Sequence, residues 1–144
     1  MDAALLRLHT LRDVDAMTTA REGGWTRKEE LGHLIDSSVN NHIRFVFAAL
    51  EGEYTGPAYQ QNGWVDLHGY KEMDWADLVD SWYSSNMLLV RVVKRIPEDR
   101  LNTVCRVGEY EPMTLQALIE DYLDHMQGHL TKILPSTYSS TAHQ

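Results

Sequence analysis

Four stretches of this chain place apolar residues at helical spacing, and no stretch sustains the alternation of a strand. The first covers about Asp2 to Thr19, with a narrow stripe of Leu5, Leu8 and Leu11, before Gly23 and Gly24 break the chain. The second opens on a capping box, Thr26 with Glu29, in which each side chain satisfies a free backbone N–H. It continues through Leu31, Leu34, Ile35, Val39, Ile43, Val46, Phe47 and Leu50 to about Glu51, and Gly52, Gly56 and Pro57 end it. Asp74 caps the third, whose stripe is Trp75, Leu78, Val79, Trp82, Leu89, Val93 and Ile96, with Pro97 beyond. The fourth begins near Thr114, carries Leu115, Leu118, Ile119, Tyr122, Leu123, Met126, Leu130, Ile133 and Leu134, and stops at Pro135. Helices with one apolar stripe each bury themselves best against one another, so the expected fold is all-α, a four-helix bundle. One domain over residues 1–135 is expected, followed by a polar tail, residues 136–144.

Two connections interrupt this pattern. Residues 53–73 are enough to cross the length of a bundle, so the second and third helices need not be antiparallel neighbours. The segment from Pro97 to Pro112 is irregular, with a brief extended stretch around Asn102 to Val107.

Composition narrows the function. The 13 Lys and Arg against 21 Asp and Glu give a formal charge of -8, which repels phosphate backbones and anionic membranes; neither nucleic acid nor membrane is an expected partner. The longest apolar run, Phe45 to Leu50, is too short to span a bilayer, and Asp2 stands where a signal peptide wants basic residues; a cytoplasmic location is expected. Cys105 is the sole cysteine, which excludes a disulfide framework and a Cys-rich zinc site. Gly-x-Ser-x-Gly elbow, P-loop and dinucleotide fingerprint are all missing from the sequence.

The chemistry rests on histidine. His125 and His129 lie four apart on the fourth helix, about 40° apart around its axis, and can reach one ion at about 2.0–2.1 Å. Asp121, one turn earlier, is placed to accept the outer N–H of an imidazole and fix its tautomer. A third ligand must come from another helix, and periodicity leaves two candidates: His33, at the rim of the second stripe, and His42, nearer its middle. A core histidine with a satisfied hydrogen bond is the simpler reading of His42. A di-iron bundle fits worse, because Glu30-x-x-His33 matches its pattern once and helix four offers Tyr122-x-x-His125 instead. A metalloprotease helix would need Glu where Met126 stands. In the long connection, Tyr59, Gln60, Asn62 and Trp64 either line a pocket beside a metal or plug the bundle end with Trp64. Asn86 interrupts the third stripe, and a buried amide there needs partners, in a wet cavity or on a neighbouring backbone.

Three segments resemble the DinB/YfiT-like superfamily. They are WTRKEELGHLIDS (Trp25 to Ser37), YQQNGWV (Tyr59 to Val65) and IEDYLDHMQGHLTKI (Ile119 to Ile133), and the likeness covers roughly residues 20–135. The resemblance implies up-down-down-up topology, with the long crossover between helices two and three, and often a homodimer. It also implies a divalent metal held by one helix-two and two helix-four histidines, which match His33, His125 and His129 here. Asp36, one turn after His33, is then expected as a supporting or capping group rather than a ligand. Gln60, Trp64 and Asn86 are the expected pocket residues, and no catalytic base is assigned. Members of the family include thiol-dependent S-transferases, maleylpyruvate isomerases and metal-dependent hydrolases.

Three neutral imidazoles leave a dication open at further positions, which suits catalysis better than structure. Zinc or nickel is the expected ion, since imidazole suits both. A thiol with a free pKa near 8.5 needs less assistance than water at 15.7. A low-molecular-weight thiol and an electrophilic small molecule are therefore the expected substrates. Hydrolysis comes second, and a non-catalytic metal- or ligand-binding bundle third. A homodimer is expected from the resemblance and from Trp75, Trp82 and Tyr83, which lie on two faces of helix three.

Overall fold

Two short strands in parallel fix the directions of the long helices. The structure, a computed structural model, describes residues 1–19 and 22–134, so the expected tail lies outside the described residues. Helices α1 (Asp2–His9) and α2 (Asp13–Ala16) precede α3 (Arg27–Glu51), and β1 (Tyr54–Gly56) follows it at once. A short α4 (Gln61–His68) leads through a 3-10 turn (Tyr70–Glu72) into α5 (Trp75–Arg95). Then come a second 3-10 turn (Glu98–Arg100), β2 (Val104–Val107), β3 (Met113–Thr114) and α6 (Leu115–Ile133). β1 pairs with β2 in parallel, Tyr54 opposite Cys105, and β2 pairs with β3 antiparallel. Helices α3 and α5 therefore deliver the chain to the same end of the molecule, and α6 returns from that end. Helix α1 runs against α5, because the Trp75 indole donates to the Leu8 carbonyl at 2.8 Å and the Tyr83 hydroxyl to Asp2 at 2.6 Å. The result is the up-down-down-up four-helix bundle of α1, α3, α5 and α6.

Local chemistry explains the helix boundaries. The Thr26 hydroxyl accepts from the Glu29 N–H at 3.2 Å, and the Glu29 carboxylate accepts from the Thr26 N–H at 3.0 Å, as a capping box requires. Asp74 caps α5 and Thr114 caps α6. Gly52 closes α3 at φ 77°, a conformation costly for any residue with a Cβ. Lys28, almost wholly buried, ties the start of α3 to both flanks: its ammonium meets Asp13 at 2.9 Å and donates to the Met73 carbonyl at 2.6 Å.

The structure departs from the sequence reading in four places. The first helix is two short ones, broken near Thr10 to Arg12. The long connection holds a helix, α4, which packs along α3 through the buried Val65. Most consequentially, α3 is rotated from Asp36 onward relative to the expected stripe. Val39, Ile43, Phe47 and Leu50, expected inside, are 42, 51, 53 and 71 % exposed. Asp36, Ser37, Ser38, Asn41 and Arg44 face inward instead and are all buried. The aromatic faces of α5 are also spent differently, since Trp75 and Trp82 are both in the core and Tyr83 is partly buried against it.

The polar run divides the core in two. One cluster joins Leu8, Leu31, Leu34, Trp75, Trp82 and Leu130 at one end, and the other joins Phe45, Leu89, Leu115 and Tyr122 at the other. Between them α5 contributes Asn86, whose amide donates to the Trp82 carbonyl at 2.9 Å while its oxygen accepts the Tyr122 hydroxyl. No helix among the described residues is long and apolar enough to cross a membrane.

The crossover returns to α3 through one close contact. A Cβ on Gly32 would lie 2.0 Å from the Tyr70 ring, so glycine alone lets this ring rest on the helix beside His33. Gly32→Ala should displace Tyr70 and destabilise the fold by on the order of 1–3 kcal/mol, the usual cost of overpacking, despite alanine's better helix propensity. Urea unfolding of the two proteins measures the difference.

Candidate metal centre and its pocket

His33 lies two turns into α3, on its buried side, and His125 and His129 lie on the facing stretch of α6. Because α3 and α6 run in opposite directions, these positions come level. The His33 and His125 Nε2 atoms are 3.2 Å apart, and one nitrogen from each of the three rings lies within 4.8 Å of the others. Donors about 2.1 Å from one tetrahedral ion stand roughly 3.4 Å apart, so the cluster needs only small adjustment to hold one. His42 is half-buried and outside this cluster.

The rings are held from several sides. Trp25 packs on His33 with centroids 4.9 Å apart. The Nδ1 of His33 is buried with no hydrogen-bond partner among the described residues. His129 is oriented by Glu30, whose carboxylate accepts from Nδ1 at 2.6 Å, leaving Nε2 toward the cluster. This is the carboxylate–histidine arrangement that metal sites use to fix a tautomer. Glu30 was legible in sequence only as half of a di-iron pattern; its spacing of one turn before His33 was the available signal.

Electrostatics favour the metal-binding form of the ligands. Burial, and then the neighbouring histidines, push His33 down to about 4, and burial likewise lowers His125. Both rings are neutral at pH 7, with lone pairs available. Burial works against the Glu30 carboxylate, yet its bond to His129 holds it below the usual glutamate range.

The expected supporting carboxylates sit elsewhere. Asp36 accepts from the Tyr70 hydroxyl at 2.6 Å and lies 3.4 Å from His68 Nδ1, which also meets the Trp64 carbonyl at 2.8 Å. Its other oxygen is buried and unpartnered among the described residues, and burial raises its pKa. Asp121 is exposed at the pocket wall near His125, with no hydrogen bond to it.

That pocket, about 320 Å³, opens beside His125 and runs between α3, α6 and the sheet. Tyr59 and Gln61 line it; Gln60, Trp64 and Asn86 do not. Trp64 packs on Tyr59 and His68 behind the wall, with ring centroids 5.5 and 6.0 Å away. Asn86 serves the wall indirectly, by holding the Tyr122 hydroxyl. Cys105 also lines the pocket, but burial pushes its thiol up and away from the reactive thiolate.

A model of the DinB superfamily matches residues 2–133. The chain belongs to the DinB superfamily. Curated relatives from Bacillus mycoides and Bacillus cereus, each named "Putative metal-dependent hydrolase", are 34% identical over 83 residues, which is 56% of this chain and 42% of theirs. The chain thus spans under half the length of those relatives. Among solved structures, YfiT from Bacillus subtilis, described as a probable metal-dependent hydrolase with an unusual four-helix bundle topology, superposes with a TM-score of 0.82 at 22% identity. That match covers 91% of this chain and 76% of YfiT. A mycothiol-dependent maleylpyruvate isomerase gives 0.75 at 12% identity, covering 92% of this chain and 55% of the isomerase. At these identities the likeness establishes the shared bundle alone.

If Glu30 orients His129, Glu30→Gln should weaken divalent-ion affinity about 10- to 100-fold, the usual effect of losing such a partner, with helicity unchanged. Competition with a chromogenic chelator, alongside circular dichroism, measures both.

Proposed function

We propose that this protein is a divalent-metal-dependent enzyme that joins a low-molecular-weight thiol to an electrophilic small molecule. The observation that carries this reading is the cluster of His33, His125 and His129 beside a pocket whose one thiol, Cys105, is kept protonated. In this reading the three histidines hold a zinc or nickel ion. Such an ion supplies Lewis acidity, which makes a nucleophile of a thiol or water at neutral pH.

The chain's own residues do the rest. Glu30 fixes the His129 tautomer and offsets part of the ion's charge. Trp25 and the buried flank of α3 keep water from the inner side of His33. The pocket reaches the cluster at His125, and in this reading both reactants meet there.

Hydrolysis is the second reading. Asp121, on the wall near His125, is a carboxylate in position to accept a proton from water, and the curated relatives carry hydrolase names. A thiol is far more acidic than water and needs less help from such a group, which keeps it in front. A single, buried free cysteine accords with a reducing compartment such as the cytoplasm.

A homodimer belongs to the same reading, with its contact moved from α5 to α3. The exposed stripe of Val39, Ile43, Phe47 and Leu50 spans three turns of one helix and suits self-pairing about a two-fold axis.

Metal-loaded protein should consume a halogenated aromatic only when a thiol is supplied, and His129→Ala should remove both metal and turnover. Ester or amide hydrolysis without thiol, lost in Asp121→Asn, would reverse the order of the two readings. Light scattering at micromolar concentration should give twice the chain mass, and Phe47→Glu should give a folded monomer.

A further inference from the structure

Arg44 is a buried cation with no paired carboxylate among the described residues. Its side chain is 8 % exposed, yet among the described residues no carboxylate lies within ion-pair distance of it. Its partners are the Pro57 carbonyl, accepting from Nη2 at 3.3 Å, and the ring of Tyr59, whose centroid is 5.8 Å from the guanidinium carbon. A guanidinium has five N–H donors in a planar fork, and most of these have no acceptor among the described residues. Arginine is seldom buried unless it is paired.

The position of this cation is informative. Arg44 lines the pocket that His125 also lines, three helical turns beyond His33 on the same helix. Along the axis, 11 residues correspond to about 16 Å between the two Cα atoms, shortened by a side chain that leans toward the helix N-terminus. The wall is largely apolar and includes Cys105, Val107, Met113 and Leu118. Asn41 is no competitor for a ligand's acceptors, because its amide nitrogen is already given to the Ser37 carbonyl at 2.9 Å and to the Ser37 hydroxyl at 3.4 Å.

We propose that Arg44 is the anchor of a carboxylate subsite, and that the pocket takes a small molecule with an apolar body and a single carboxylate. The planar fork matches a carboxylate in two parallel hydrogen bonds. One guanidinium balances one negative charge, whereas a phosphate dianion would leave a surplus beside Asp121 in a chain of net charge -8. The proposal deepens the reading above, because a ligand anchored at Arg44 extends its other end toward His125, where that reading puts the chemistry. Binding at Arg44 itself requires no metal.

The test is calorimetric titration of the full chain, chelator-treated, with 4-phenylbutyrate, with its neutral amide and with phenyl phosphate. The carboxylate should bind at least tenfold more tightly than the amide and more tightly than the phosphate. Arg44→Gln should reduce the carboxylate-to-amide ratio to below twofold, while Arg44→Lys keeps several-fold. In the unsubstituted protein the Arg44 Nε–H resonance should shift with the carboxylate and not with the amide, which decides the matter even where a variant fails to fold. Equal binding of acid and amide, a preference that survives Arg44→Gln, or a preference for the phosphate each overturns the proposal. Metal content measured on the untreated protein separates the two readings. Carboxylate binding by a chain that takes no metal would sink the metal centre and leave Arg44 standing. A metallated chain indifferent to the carboxylate would do the reverse.

Discussion

A band of polar side chains in the middle of a helical interior governs the rest of this molecule. Asp36, Ser37, Ser38, Asn41 and Arg44 on α3 would each lose hydrogen bonds to water on burial, so neighbouring elements must supply partners or a cavity must remain. Both solutions are present. Tyr70 comes in from the crossover to Asp36, Ser85 on α5 meets Ser38 at 2.9 Å, and Asn41 turns back on its own helix. Beside Arg44, where the Pro57 carbonyl and the Tyr59 ring are the partners and no carboxylate is paired among the described residues, the space stays open as a pocket. The division of the apolar core into two clusters, the seat of the crossover and the site of the cavity all follow from this band.

Much of the fold was legible in the sequence because it depends on local rules. Capping at Thr26, Asp74 and Thr114 is chemistry between residues three apart, and helix starts followed from it. The extended stretch near Asn102 to Val107 became β2. The rotation of α3 was not legible, because Leu31 and Leu34 obey the apolar stripe, polar residues from Asp36 to Arg44 then take the inward side, and Phe45 and Ala48 follow them into the core. Hydrophobic patterning assumes that the interior is dry, and it fails where an interior is built around a pocket. Helix α4 was hidden for a different reason: QNGWVDLH has no side-chain cap and too few apolar residues to mark a face.

The site shows the same division. The i, i+4 pair on α6 is a local feature, and the sequence displays it. Its approach to His33 is a tertiary fact; periodicity alone did not decide between His33 and its rival His42, and the family resemblance favoured His33. The Glu30–His129 bond joins residues 99 apart, so nothing local could announce it. The pocket is lined by Gln61, the first residue of α4, and not by Gln60, Trp64 or Asn86. Proteins on this bundle carry hydrolase and isomerase names, so the scaffold leaves the chemistry to the pocket wall.

The composition of α3 sets a limit on how this protein could be made more robust. From Asp36 to His42 the helix reads DSSVNNH, seven consecutive residues of weak intrinsic helicity. This stretch is helical because of what surrounds it, and in isolation it would unravel. Alanine substitutions there would raise helix propensity, the usual route to a hardier protein. At Asp36, Ser37, Ser38 and Asn41 they would also strip the hydrogen bonds that shape the cavity. Evolutionary or engineered gains in heat tolerance along this segment are thus confined to its outward positions, Val39, Asn40 and His42, and the inward ones trade ruggedness for a working interior.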